Sequence, residues 1–175
     1  MQSPVPSRPV SAEEKMLLLG EATFLFVNSP LHLRYAVHQL PTFILTPLRL
    51  GQYRMYRSAK GPVGFVAWAH LTAQAAADYA SMRRDLTPQD WDAGDQLWFI
   101  EFVAPFGHAR RIVADLRHAV FPRATALSLR RYTDGRTPSV VRWRGAAVAD
   151  GRAAGAADAA GAADAADADR LLRPD

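Results

Sequence analysis

The sequence predicts an α+β protein with a mainly antiparallel sheet flanked by helices. Three observations carry this reading. The run Leu97 to Ala104 is apolar on both faces, as in a central strand covered from either side. A strand pair precedes it and two more strand segments follow it, each set joined by short turn sequences. The helix signals sit around these groups and do not alternate with single strands, which sets the layout apart from a parallel α/β sheet.

The elements follow in order. Residues 1–10 hold three prolines and read as a flexible arm. Ser11 and Glu14 form an S-x-x-E capping box, which starts a helix running to about Asn28. Ser29-Pro30 ends it, because proline disfavours the helical conformation in the residue before it. His32 therefore falls at a chain bend. Gln52 to Arg57 alternates in polarity, Val63 to Ala69 is mostly apolar, and Ala59-Lys60-Gly61-Pro62 turns between them as a β-hairpin. Leu71 to Met82 is alanine-rich and helical. Thr87-Pro88 reads as an N-cap with a first-turn proline, and Asp92 to Asp95 as a turn. In the central strand, period-two geometry puts Glu101 on the face of Phe99 and Val103. A basic helix follows from Ala109 to Val120, with Arg110, Arg111 and Arg117. Strands over 124–131 and 139–143 close the domain, which spans residues 11–149. From 150 to 175 the chain is an Ala/Asp/Gly repeat, too poor in bulky apolar groups to offset its ordering entropy.

Composition narrows the function. The 175 residues are 49% hydrophobic and 22% charged, enough for one domain with a sizeable core. The net charge of +4 is an average. Residues 150–175 carry six aspartates against three arginines, a net −3, so the body carries +7. That balance suits an anionic partner, or simply a solvated arginine surface. The absence of cysteine excludes disulfides, thiol nucleophiles and thiolate metal sites. The apolar run Met16 to Val27 is broken by Glu21 and is shorter than the ~20 residues a bilayer requires. No membrane span is expected, no cleavage site follows the run, and a cytoplasmic location fits. No metal-ligand spacing, P-loop or G-x-G-x-x-G is present, and no basic-aromatic nucleic-acid motif.

His32 and Glu101 are the candidates for chemistry. A histidine beside a carboxylate is a general-base arrangement, since the carboxylate sets the tautomer and stabilises the imidazolium. A carboxylate inside so apolar a strand is costly unless paired, and an ion pair with an arginine is the competing account. Pro105-Phe106-Gly107 lies between a strand and a helix start, where either a tight turn or an anion site fits.

Several segments together resemble the RTX toxin-activating lysine acyltransferases. Asn28-Ser29-Pro30-Leu31-His32 is similar to their S-P-x-H segment, and Leu50-Gly51-Gln52-Tyr53 to their G-Q-Y stretch. Val66-Ala67-Trp68-Ala69 is similar to a C-S-W-A strand. Asp90-Trp91, Gly94-Asp95 and Leu97 to Gly107 resemble their D-W…G-D-R-x-W-F-I-D-W-I-A-P-F-G block. The likeness covers roughly residues 14–147. It implies a fold related to the GNAT acyltransferases, and fatty-acyl transfer from acyl-carrier protein to internal lysines of an RTX protoxin. It implies no bound cofactor beyond the phosphopantetheine thioester of that donor, and a homodimer is compatible with it. The family's catalytic histidine falls on His32, its nearby serine on Ser29 and its aspartate on Glu101, a departure that lengthens the side chain by one methylene. Gly107, Arg110 and Arg111 become candidate contacts for the carrier. Phe65, Trp68, Trp98 and Phe99 are candidates for an acyl channel, with core packing as their other reading. An enzyme using acyl-CoA on another amine, and a non-catalytic basic binding module, are the alternative functions.

Overall fold

The computed structural model describes residues 11–148. The predicted arm over 1–10 and the low-complexity tail over 150–175 lie outside the described residues. Helix α1 spans Ala12–Val27, and Ser11 Oγ accepts the Glu14 N–H at 3.1 Å, as the capping box requires. One face of α1 carries Leu18, Ala22, Leu25 and Phe26 into the core at helical spacing. The chain then runs through single 3₁₀ turns at His32–Arg34 and Val37–Gln39 and a wider turn at Pro41–Leu45 into α2, Thr46–Leu50. No regular periodicity marks 33–51 in the sequence, and the structure builds it from short turns. Gly51 ends α2 at φ +69°, a left-handed conformation that glycine adopts without steric cost.

Five strands follow: β1 Tyr53–Ser58, β2 Gly61–Leu71, β3 Gln96–Val103, β4 Thr125–Arg130 and β5 Ser139–Arg144. They lie in the order β1-β2-β3-β4-β5. All neighbours are antiparallel except β3 and β4, which run parallel. Parallel neighbours need a crossover, and α4, Ala109–Asp115, lies in that connection. The predicted helix over 109–120 ends at Asp115 and finishes as a wider turn through Val120. Helix α3, Ala73–Ala80, starts at Thr72, whose hydroxyl accepts the Ala75 N–H. The arrangement is the expected α+β fold with a mainly antiparallel sheet.

Each face of the sheet holds its own core. Phe65, Ala67, Ala69 and Leu71 of β2 pack with α1, α3 and Trp91 on one face, while Val66 and Trp68 meet Ile112, Leu116 and Phe121 on the other. The strand alternation of β2 is thus regular. That of β3 is not. Ala67 pairs with Glu101 but Trp68 pairs with Phe99, so Ile100 is an extra residue, a β-bulge. The bulge corrects the period-two expectation. Glu101 shares the α1 face with Ile100 and Val103, whereas Phe99 turns to the opposite core.

At the end of β2 the turn after Trp91 closes on the strand itself: Gly94 N–H donates to His70 O at 2.9 Å. A Cβ on Gly94 would stand 2.3 Å from the Leu71 carbonyl oxygen. Gly94→Ala is expected to destabilise the fold by about 1–3 kcal/mol through overpacking, read as a lowered urea midpoint with unchanged slope.

Candidate active site

The site begins where α1 stops. The Ser29 N–H closes on Phe26 O at 3.0 Å and the Leu33 N–H on Ser29 O at 3.0 Å, so the chain turns at once into the 3₁₀ turn. That turn puts Ser29 and His32 side by side. Phe26, the last core residue of α1, packs its ring against those of His32 and Tyr35 at 4.7 and 5.7 Å between centroids. His32 is only 6% exposed although it sits in a bend.

From the other side the β3 bulge brings up Glu101, 2% exposed. His32 Nε2 lies 3.0 Å from Glu101 Oε2, and His32 Nδ1 lies 2.6 Å from Ser29 Oγ. A carboxylate accepts and does not donate. With Glu101 ionised, the Nε2 nitrogen carries the proton and donates it to Glu101. Nδ1 is then left with a lone pair, and Ser29 O–H donates to it. The tautomer follows from the partners.

The second oxygen of Glu101 is also satisfied. Tyr35 O–H donates to Oε1 at 3.0 Å. Arg131 Nη1 donates in turn to the Tyr35 oxygen, and Arg131 Nη2 to Tyr79 Oη at 2.6 Å. Burial, reinforced by the negative charge of Glu101, raises the Tyr35 phenol well above its ordinary pKa, so it remains a donor at working pH. Burial likewise pushes Tyr79 up to about 12. Burial opposes the charge on Arg131, but Tyr79, Tyr35 and Glu101 together outweigh it and its pKa lies above the ordinary value. The carboxylate is thus held by His32 and Tyr35 directly, and by an arginine one hydrogen bond further back.

Ser29, His32, Tyr35, Glu101 and Arg131 line one cavity of about 230 Å³. It opens where the two parallel strands part. β3 and β4 are in register only at Trp98 with Leu127 and Phe99 with Ser128. Beyond that point Ile100, Phe102, Leu129 and Trp143 contribute to the walls. Of the four aromatic residues weighed for a channel, Phe99 lines this cavity. Phe65, Trp68 and Trp98 pack in the two cores. Gly107, Arg110 and Arg111 lie outside its lining. Gly107 makes a tight turn at φ +76°, and the two arginines are exposed on α4.

Tyr35, Tyr79, Arg131 and Trp143 were not singled out by the sequence. Tyr35 follows His32 by three residues, a spacing that returns to the same side of a 3₁₀ turn. Arg131 closes the strand next to Glu101's, but which strand lies there is a matter of topology. Tyr35→Phe removes the donor to Glu101 and the acceptor for Arg131. It is expected to cost about 1–3 kcal/mol, measured by chemical denaturation, with the far-ultraviolet circular dichroism unchanged.

A family model described as the RTX toxin acyltransferase family matches residues 11–144. The protein-lysine palmitoyltransferase CyaC of Bordetella bronchiseptica is 36% identical over 143 residues, 79% of this chain and 75% of its own length. The lysine-acyltransferase RtxC of Vibrio cholerae is 38% identical over 105 residues, covering 59% of this chain and 69% of that protein. An uncharacterized Synechocystis protein is 33% identical over 126 residues, covering 71% of this chain and 86% of its own. With the match running from the start of α1 to the end of β5, this chain belongs to the RTX toxin acyltransferase family.

Proposed function

We propose that this chain is a protein-lysine acyltransferase that moves a fatty acyl group from the thioester of an acyl-carrier protein to lysine ε-amines of an RTX protoxin. The observation that carries the reading is the hydrogen-bonded row Ser29–His32–Glu101 opening onto a largely apolar cavity, in a chain of this family. The reaction joins the amine nitrogen to the thioester carbon and releases a thiol. Only the neutral amine attacks, so the lysine ammonium first gives one proton to solvent; as the nitrogen bonds to the carbonyl carbon it becomes positive, and a base has to take a second proton from it. His32 is that base. Its Nε2 is committed to Glu101, which leaves Nδ1 as the accepting atom. Ser29 Oγ is bonded to Nδ1 and also lines the cavity, so the proton passes from the amine to Ser29 and from Ser29 to His32. Glu101 stabilises the imidazolium that results, and the same proton returns to the departing sulfur. Both imidazole nitrogens are engaged within the protein, which favours this direct transfer over an acyl-histidine. An N–H from the stretch of β3 beyond its last pairing with β4 is the donor for the tetrahedral oxyanion.

The setting supports the same reading. Among the described residues no helix is long and apolar enough to cross a membrane. The reaction belongs in the cytoplasm, where acyl-carrier protein is found, before the toxin is exported. The +7 body complements an acidic carrier. Arg110 and Arg111 on α4, with Gly107 before them, are the contacts assigned to that carrier.

Incubation of the purified chain with acyl-carrier thioester and a protoxin fragment, followed by mass spectrometry of lysine peptides, tests the reaction. Acyl-lysine is expected with this donor. Transfer from acyl-CoA alone would replace the donor, and no transfer from either would overturn the reading. His32→Ala is expected to abolish transfer without unfolding the protein. Glu101→Asp draws the carboxylate back by roughly 1–1.5 Å and breaks the 3.0 Å contact with Nε2. Its kcat is expected to fall about 100-fold in steady-state assays, with KM for the carrier little changed.

A further inference from the structure

We infer that Phe99 and Trp143 set the length of acyl chain that this site accepts. The inference rests on the acyltransferase reading and adds to it a specificity role for two residues away from the proton relay.

The cavity crosses the sheet. His32 and Tyr35 stand on the α1 face, against Phe26. Phe99 and Trp143 belong to the aromatic cluster of the opposite face. The passage between the faces is the gap left where β3 and β4 cease to pair. The polar groups therefore gather at one end, and Phe99, Phe102 and Trp143 at the other. The rings of Phe99 and Trp143 meet edge to face at 5.4 Å, and Phe102 stacks on Trp143 at 6.0 Å. Trp143 is held in place by its indole N–H, which donates to Ser128 Oγ at 2.8 Å.

Behind these two rings lies a second, smaller cavity of about 10 Å³, room for about one water-sized group. Leu116, Phe121, Ala124 and Ala126 line it, together with Phe99 and Trp143. Phe99 and Trp143 thus border both cavities and form the partition between them. The occupant of the apolar end is the hydrocarbon chain of the donor. A lysine side chain carries its ammonium at its tip and would lose its hydration against these rings. A chain whose thioester carbon rests near Ser29 runs down the apolar wall and stops where Phe99 and Trp143 close it. One methylene too many in such a pocket is discriminated about 10- to 200-fold.

The test is competition between carrier thioesters of increasing even chain length, read as the ratio of long to short acyl-lysine by mass spectrometry. Phe99→Leu and Trp143→Phe thin the partition, and each is expected to raise that ratio about tenfold or more. Adding Ala126→Val to Trp143→Phe refills the space behind the partition and is expected to bring the ratio back toward that of the unmodified protein. A general loosening of the core would not be reversed in this way. An unchanged ratio in variants that still transfer would overturn the inference and leave the acyltransferase reading standing. Absence of transfer by the unmodified protein would defeat both. A measurement on the unmodified protein needs no variant to fold: a thioester with a photoreactive group at the chain end is expected to label the peptide containing Phe99 or Trp143. Labelling confined to other segments would overturn the inference.

Discussion

A single buried carboxylate organises this protein's centre. Glu101 sits in the middle strand of a five-stranded sheet, out of reach of solvent. A charge in that position is tolerated only when its oxygens are bonded and a compensating charge is near. His32 and Tyr35 supply the bonds, and Arg131 the charge. Two separate segments have to converge to do so: the turn that follows α1, and the chain directly after β4. The β3 bulge is what aims Glu101 at them, since regular alternation would send the residue two places after Phe99 to the opposite core. Both oxygens of Glu101 are engaged, each at 3.0 Å.

The second constraint is the parallel pairing of β3 with β4. The crossover through α4 brings β4 back in the same direction, in register over only two residue pairs. The strands then diverge, and the cavity occupies the gap. The polar row and the apolar lining meet in that gap, and the bulge decides which lies on which side. The polar row faces the helix α1 side because Glu101 was turned there by the bulge. The apolar wall faces the other side because Phe99 precedes the bulge and Trp143 is borne by β5.

Much of the fold was legible along the chain because its signals are local. Ser11 with Glu14, the proline at position 30, and Thr87 with Pro88 each mark an element end by a bond or a dihedral angle that involves only neighbours. The segment 33–51 was opaque for the opposite reason. Its turns are short and have no repeating face, and Phe43, Ile44 and Leu48 are buried by contacts with distant elements. The site divides along the same line. His32 was marked by its place at a bend, and Ser29 only by the resemblance of its segment to the family's. Glu101 could be flagged as an anomaly in its strand. Tyr35 had only its three-residue spacing from His32, and Arg131 and Tyr79 gave no local sign, because their roles depend on which strand lies beside β3.

What the sequence by itself determined was the kind of element at most positions, the charge of the body, the absence of thiol chemistry and, through its motifs, the family. These depend on residue type, periodicity and short-range spacing. Tertiary structure alone decided the rest: that His32 and Glu101, 69 residues apart, meet at 3.0 Å, that a bulge divides Phe99 from Glu101, and that one parallel pair opens the sheet. Each of these is a matter of register and strand order, and both are set by the packing of two cores at once rather than by any stretch of chain.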